Sequence, residues 1–333
     1  MEKLVNILQK FKNYPISILE ILLARKVVSY HLKPTNLKYY KKLSDMVGGN
    51  IYIKHENTNP TNSFKIRGGI NIMHHLKKHN INDVITFSTG NHGLSVAASA
   101  KIVGINATVV VPNGSNLVKI EKIKELGATL IEGGNNFEEA SKVVEKISKE
   151  NSSYFVHPAD EPHLINGVGS EFLEILEDLP SIDAIILPLG GGSEVAAAIT
   201  VFKAFKPSVK IYAVQAKASK AAYLSWKNGT IQSSENTTFA GGFATGIAYK
   251  TPFEIYKDKI DDFILLSEEE IYQGIKIAKE YTNTIIEGAG SSTIIAAIKL
   301  KEQLQGKNIV LQYSGANPTK EEIIESENYV ISI

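Results

Sequence analysis

The chain predicts an α/β fold of two lobes, each a mostly parallel twisted sheet flanked by helices. Three observations carry that expectation. From residue 51 onward, short β-branched runs alternate with amphipathic or small-residue segments, the order expected of strands joined by crossover helices. Nearly every strand candidate is a continuous apolar run, so both faces of each sheet should be covered. A length of 333 residues with 43% apolar content is long for one core and comfortable for two.

Taken in order, the strand candidates are Ile51–Lys54, Val84–Phe87, Thr108–Val111, Thr129–Ile131, Tyr154–Val156, Ala184–Leu187, Lys210–Val214, Phe263–Leu266 and Ile309–Gln312. Helices fill the intervals. Gly104 and Gly127 stand where helices stop, and Ser267 followed by Glu270 reads as a capping box that opens another. The stretch Val84–Val156 is compact enough for a small lobe, 78–157, inserted into a larger one built from 1–77 and 158–333. Asn228–Thr238 is polar without an apolar period and is expected as a surface loop.

Composition removes several functions. The 36 Lys and Arg balance 35 Asp and Glu, which argues against nucleic acid or an anionic membrane and leaves a small molecule as partner. There is no cysteine, so disulfides, thiolate zinc sites and cysteine nucleophiles are excluded together. The apolar stretch Ile16–Leu23 is broken by Glu20 and is too short to span a bilayer. No secretory signal precedes it, and a cytoplasmic protein is expected.

Chemistry concentrates at four turns where a strand's carboxyl end meets a helix, the position at which open parallel sheets bind ligands. In Asn62-Ser63-Phe64-Lys65-Ile66-Arg67-Gly68-Gly69, Lys65 falls in the first turn of a helix. The helix dipole disfavours an ammonium there, so this lysine should lose its proton or form an imine, and a lysine of lowered pKa is a nucleophile. A solvated surface lysine is the ordinary alternative. Ser88-Thr89-Gly90-Asn91-His92-Gly93 sets hydroxyls, an amide and an imidazole before a small-residue helix and can grip a carboxylate. A plain N-cap by Ser88 or Thr89, with His92 as a satisfied buried histidine, explains it equally.

Gly190-Gly191-Gly192-Ser193 bares backbone amides at a helix start and can hold a phosphate, or else serves close helix packing. It lacks the Lys and Ser/Thr of a Walker loop, and Val195 stands where a dinucleotide fingerprint has its last glycine. Ser314-Gly315-Ala316-Asn317 can bond a ring heteroatom or simply turn the chain. A nucleophilic lysine, a phosphate cup and a carboxylate grip together describe a pyridoxal phosphate site acting on an amino acid. Elsewhere, His75 and His79 lie one helical turn apart beside Lys77 and Lys78, which fits a solvated helix face better than a metal site. Tyr223 and Trp226 read as packing residues of an amphipathic helix.

With these motifs in order, the chain resembles the fold-type II pyridoxal phosphate enzymes of the tryptophan synthase β-like superfamily and, within them, the serine/threonine dehydratases. Ser63-Phe64-Lys65-Ile66-Arg67-Gly68 is similar to that family's Schiff-base motif, and Ser88 to Gly93 to its substrate loop. Gly190 to Ser193 looks like its phosphate cup, and Ser314 to Asn317 like the segment that meets the pyridine nitrogen. The resemblance implies that Lys65 carries the cofactor as an imine and is the catalytic base, that Phe64 and Gly242 flank the ring, and that Glu287 lies beside it. It implies that Gly190, Gly191, Gly192 and Ser193 take the phosphate, that Asn91 bonds the ring hydroxyl, and that Ser314 meets the ring nitrogen. Ser88, Asn91 and His92 would hold the substrate carboxylate, with Thr89 beside them.

The activity so implied is β-elimination of water from L-threonine or L-serine, giving 2-oxobutanoate or pyruvate and ammonia, in a homodimer or higher assembly. Serine racemisation, dehydration of a hydroxyaspartate or a hydroxyectoine-pathway substrate, β-replacement and threonine synthesis stay open within the superfamily. A catalytically idle amino-acid-binding protein stays open outside it. Three departures narrow the choice. Thr89 stands where racemases carry serine, Ser193 where the cup has glycine, and Gln215 and Ala221 where metal-activated members have acidic ligands, so no metal is expected there. The chain also ends soon after the Ser314 turn, which leads to the expectation of no C-terminal regulatory domain and a catabolic or housekeeping role.

Overall fold

The computed structural model describes residues 11–135 and 137–331. Two compact units emerge, one of residues 1–33 and 65–170 and one of 34–64 and 171–333. Each contains one sheet. Among the described residues, no helix is long and apolar enough to cross a membrane.

In the first unit, β3 (Asp83–Phe87), β4 (Asn106–Val111), β5 (Thr129–Glu132) and β6 (Tyr154–Phe155) form an all-parallel sheet in the order β5-β4-β3-β6. The strand alternation sorts its residues to two faces. Val84, Val109 and Val111 pack in one cluster with Val96, Ala97, Ile120 and Ile123, while Ile85 and Val110 pack in another with Ala140 and Val144. Both faces are therefore covered, as continuous apolar strands require. The helix Asn91–Val103 ends on Gly104 at φ 73°, and Gly127 at φ 88° follows the helix Leu117–Glu125, so both expected glycine stops are present.

In the second unit, β1 (Leu37–Tyr39), β2 (Asn50–Lys54), β7 (Ala184–Pro188), β8 (Lys210–Ala216), β9 (Asp262–Leu266) and β10 (Asn308–Gln312) run in the order β1-β2-β10-β7-β8-β9. Only the β1–β2 pair is antiparallel. Ile186, Val214, Ile309 and Leu311 join the helix Gly288–Lys299 in one core, and every residue of β7 is buried. Every expected strand is present, though Val156 lies beyond β6. The sequence reading missed β1, because a three-residue edge strand with two exposed positions has no apolar alternation to display.

The expected capping box is observed: Ser267 Oγ accepts from Glu270 N (3.3 Å) and Glu270 Oε2 from Ser267 N (2.7 Å), opening the helix Glu268–Thr282. Tyr223 and Trp226 both pack on Phe263, at 5.6 and 5.7 Å between ring centroids. The segment 229–249 is irregular, tied by an isolated Ser233–Ile247 bridge.

His75 corrects the solvated-face reading. Its ring is half-buried and stacks on His163 at 4.1 Å, because Phe11, Tyr14 and His163 bring aromatic surface to this end of the helix Lys65–Lys78. His79 is exposed, as expected. Among the described residues, no cluster of three or more His, Asp or Glu is placed to hold a metal ion.

Candidate active site

Strand order explains why three of the four motif turns meet. β2, β10 and β7 are adjacent and parallel, so the turns that follow their carboxyl ends fall side by side. The turn after β2 is zipped to the turn after β10. Phe64 N donates to Ser314 O (3.1 Å), Ala316 N to Asn62 O (2.8 Å), and Asn317 Nδ2 to Thr61 O (2.9 Å), with Ser63 and Gly315 in an isolated bridge. Asn62 adopts φ 54°, a left-handed conformation that asparagine tolerates better than most residues and that lets the chain double back here.

From Ser314 the network reaches Glu287 and then the glycine cup. Glu287 N donates to Gly315 O (3.2 Å), and Glu287 Oε2 accepts from Asn317 N (3.1 Å). A Cβ on Gly242 would lie 3.4 Å from Glu287 Oε1 and 2.6 Å from the Ala289 side chain. A Cβ on Gly190 would lie 1.9 Å from Gly242 O, so glycine is required for the close approach of the two segments. Gly192 is the N-cap of the helix Ser193–Phe205, at φ 87° and without a side-chain cap. That helix start presents the positive end of its dipole without a side-chain cap. Phe64, Gly190, Gly191, Gly192, Ser193, Gly242, Glu287 and Ser314 therefore belong to one connected group.

The remaining expected residues, Lys65, Ser88, Thr89, Asn91 and His92, lie in the four-stranded unit. Lys65 opens the helix Lys65–Lys78, and its carbonyl accepts from Ser95 Oγ (2.7 Å). Neighbouring helices crowd this one. Cβ atoms on Gly68 and Gly69 would meet Leu164 O at 2.7 Å and Ser95 Oγ at 2.4 Å, which accounts for the glycine pair after Lys65.

The N-cap of the helix Asn91–Val103 is Gly90, with no side-chain cap, whereas Ser88 Oγ accepts from Gly90 N (3.1 Å). The plain N-cap by Ser88 or Thr89 is therefore not what forms, and the helix start at His92 and Gly93 presents the positive end of its dipole without a side-chain cap from Gly90. Ser88 to Asn91 are partly exposed. His92 is buried, with its imidazole Nε2 engaged by Thr86 Oγ1 (2.9 Å) and Val156 O (3.2 Å). Burial first, and the Lys65 ammonium second, hold its pKa down at about 3. His92 is thus neutral, and what it can offer an anion is its backbone amide.

Residues 28–315 match the family described as "Pyridoxal-phosphate dependent enzyme". The chain belongs to this family. It is similar to the L-threonine ammonia-lyase of Thermotoga maritima, 36% identical over 307 residues that cover 91% of this chain and 76% of that protein. It is also similar to the structure of maize serine racemase (TM-score 0.89, 27% identity, 94% of this chain and 97% of that one). The processed form of threonine deaminase isoform 2 from Solanum lycopersicum is similar too (TM-score 0.88, 29% identity, 94% and 95%).

The residues present fit pyridoxal phosphate. A phosphate dianion matches the helix start at Gly192, which no side chain caps, and glycine at 190 and 242 lets the segment of Gly242 close against the cup. Ser63, which the sequence reading left out of the site, has a fully buried hydroxyl without a protein partner among the described residues, beside the Phe64–Ser314 pairing. Its signal was its place in the same octapeptide as Lys65.

Proposed function

We propose that this family member is a threonine/serine dehydratase, an ammonia-lyase that converts L-threonine to 2-oxobutanoate or L-serine to pyruvate, with release of ammonia. The observation that supports this reading is the pairing of Ser314 O with Phe64 N (3.1 Å), which sets Ser314 beside the lysine turn; its hydroxyl would meet the ring nitrogen. A hydroxyl leaves that nitrogen less protonated than a carboxylate would, which favours elimination over chemistry needing a long-lived carbanion. Similarity to a threonine ammonia-lyase over 91% of the chain supports the same substrate class.

Bound pyridoxal phosphate supplies the electron sink that acidifies the Cα–H of an amino acid. Lys65 anchors it and then, as a neutral amine, takes the Cα proton. The amides at Asn91 and His92, with the Ser88 and Thr89 hydroxyls, hold the substrate carboxylate, and Asn91 bonds the ring hydroxyl. Gly190, Gly191, Gly192 and Ser193 bind the phosphate, while Phe64, Gly242 and Glu287 confine the ring. In net terms the Cα proton and the β-hydroxyl leave together as water. The resulting enamine tautomerises to an imine, which takes up water to give the 2-oxo acid and ammonia.

Racemisation needs a second acid on the opposite face, where Thr89 brings a bulkier hydroxyl than serine. Leftover substrate is therefore expected to stay L. A homodimer or higher assembly, a cytoplasmic location, and a division into a cofactor lobe and a 78–157 substrate-loop lobe belong to the same proposal, and sedimentation tests the first. The activity is tested by a panel of hydroxy amino acids followed by ammonia release and chiral analysis. Lys65→Ala is expected to abolish 2-oxo acid formation with its circular dichroism unchanged. Normal turnover by that variant refutes the role of Lys65. Purified protein that gains no visible absorbance with added pyridoxal phosphate is the outcome an idle binding protein gives.

A further inference from the structure

The loop that carries Gly242 is anchored at both ends. At its inner end, Gly242 O faces Gly190, and Ser219 Oγ donates to Phe243 O (2.8 Å) and Thr245 O (2.9 Å). At its outer end, Glu268 accepts from Thr238 Oγ1 (2.9 Å) and Phe239 N (2.9 Å). Phe239 then stacks face to face on Tyr272, at 3.9 Å and 6°, and Tyr272 on Tyr329, at 5.1 Å and 8°. Phe239 also packs on Gly288, where an added Cβ would stand 3.2 Å from Phe239 Cε2, and Gly288 follows Glu287 in the chain.

Tyr329 is held in its turn by the helix Glu268–Thr282. Lys276 Nζ donates to Glu327 O (3.1 Å) and Tyr329 O (2.9 Å), Gln273 Nε2 donates to Val330 O (3.1 Å), and Lys279 pairs with Glu327. Burial holds the Tyr272 hydroxyl up at about 12, so the middle ring stays neutral at any working pH. Three rings thus run from the C-terminal segment to the loop that meets the glycine cup.

We propose that Tyr329, acting through Tyr272 and Phe239, is a positioning residue that fixes the 238–243 loop and thereby sets how tightly the chain holds pyridoxal phosphate. The inference rests on the reading that Gly242 and Glu287 confine the cofactor ring. A flat stack resists sliding and tilting only while each ring has its neighbour, so removal of the outermost ring frees Tyr272 and then Phe239 to move. Movement of Phe239 shifts both Gly242, three residues along, and the packing over Gly288.

The test uses the full chain, stripped of cofactor and titrated with pyridoxal phosphate while visible absorbance is followed. Tyr329→Ala is expected to weaken binding about two- to tenfold, the range one aromatic pair supplies. Tyr329→Phe, which keeps the ring, is expected to bind within about twofold of the unaltered chain. Hydrogen exchange on the cofactor-free protein should quicken at 238–243 in the alanine variant and stay unchanged in β7 and β8. If Tyr329→Ala does not fold, Tyr329→Leu, which keeps bulk without a flat face, replaces it in both measurements. Unchanged cofactor affinity together with unchanged exchange at 238–243 overturns the proposal. Failure of the unaltered chain to take up pyridoxal phosphate would instead sink the reading on which it rests.

Discussion

At Gly190 there is no room for a side chain: a Cβ would stand 1.9 Å from Gly242 O, a backbone atom that moves only with its segment. Gly190→Ala is therefore expected to push the 238–243 loop off the cup. Cofactor affinity should fall at least about tenfold, a loss of about 1.4 kcal/mol, with the far-ultraviolet spectrum retained. Unaltered affinity in a titration shows that the two segments are not held as described. Gln215 invites a second test. Its Oε1 accepts from Tyr223 N (3.1 Å), which fixes the amide orientation and turns the NH2 end toward the buried side, and an NH2 group cannot ligate a cation. Chelator is expected to leave ammonia release unchanged. A large loss restored by magnesium would contradict this.

Among the elements, the helix Glu268–Thr282 bears most on the candidate site, since its first turn holds Thr238 and Phe239 and its third turn holds the C-terminal segment. Ser267→Ala removes half of its capping box and is expected to cost about 1 kcal/mol of stability, read as a lower thermal midpoint. An unshifted midpoint says that Glu268 and the aromatic stack alone fix this helix end. The box itself was legible in the sequence because its two partners are three residues apart. The same is true of the glycine stops and of the motif turns, all of which are local patterns. What brings Phe64 to Ser314, or Gly190 to Gly242, is the β2-β10-β7 order, and no local pattern encodes strand order. The Phe239–Tyr272–Tyr329 stack was illegible for the same reason: its three rings come from separate segments, and the sequence shows only isolated aromatics. The half-buried His75 was misread because the rings that cover it come from Tyr14 and His163, far from it in the chain.

Across the whole molecule, titratable burial is uneven, and it predicts where acid acts first. In the unit of 1–33 and 65–170, burial holds His75 down at about 4 and both His92 and His163 at about 3, and it lowers His157 as well. In the other unit only His55 is lowered. A histidine whose folded pKa is depressed binds fewer protons folded than unfolded, so the stability it leaves intact above about 6.5 is lost as pH falls toward the folded value. Glu161 works the other way. Burial lifts its carboxyl to about 7, so it favours the folded state at low pH and ceases to do so as pH rises through that value. One carboxyl opposes several histidines, and each group changes stability by at most about 1.4 kcal/mol per pH unit. The net expectation is a protein most stable near neutrality that weakens from about pH 6.5 toward pH 4. The weakening should begin in the four-stranded unit: hydrogen exchange at pH 5 is expected to quicken in β3 and β4 before β7 and β8. His163→Phe keeps an aromatic face against His75 while removing a titrating ring whose buried Nδ1 has no partner among the described residues. It should flatten the fall of the thermal midpoint between pH 7 and pH 5. An equal slope in the variant, or first exchange in β7 and β8, would show that the acid sensitivity resides elsewhere.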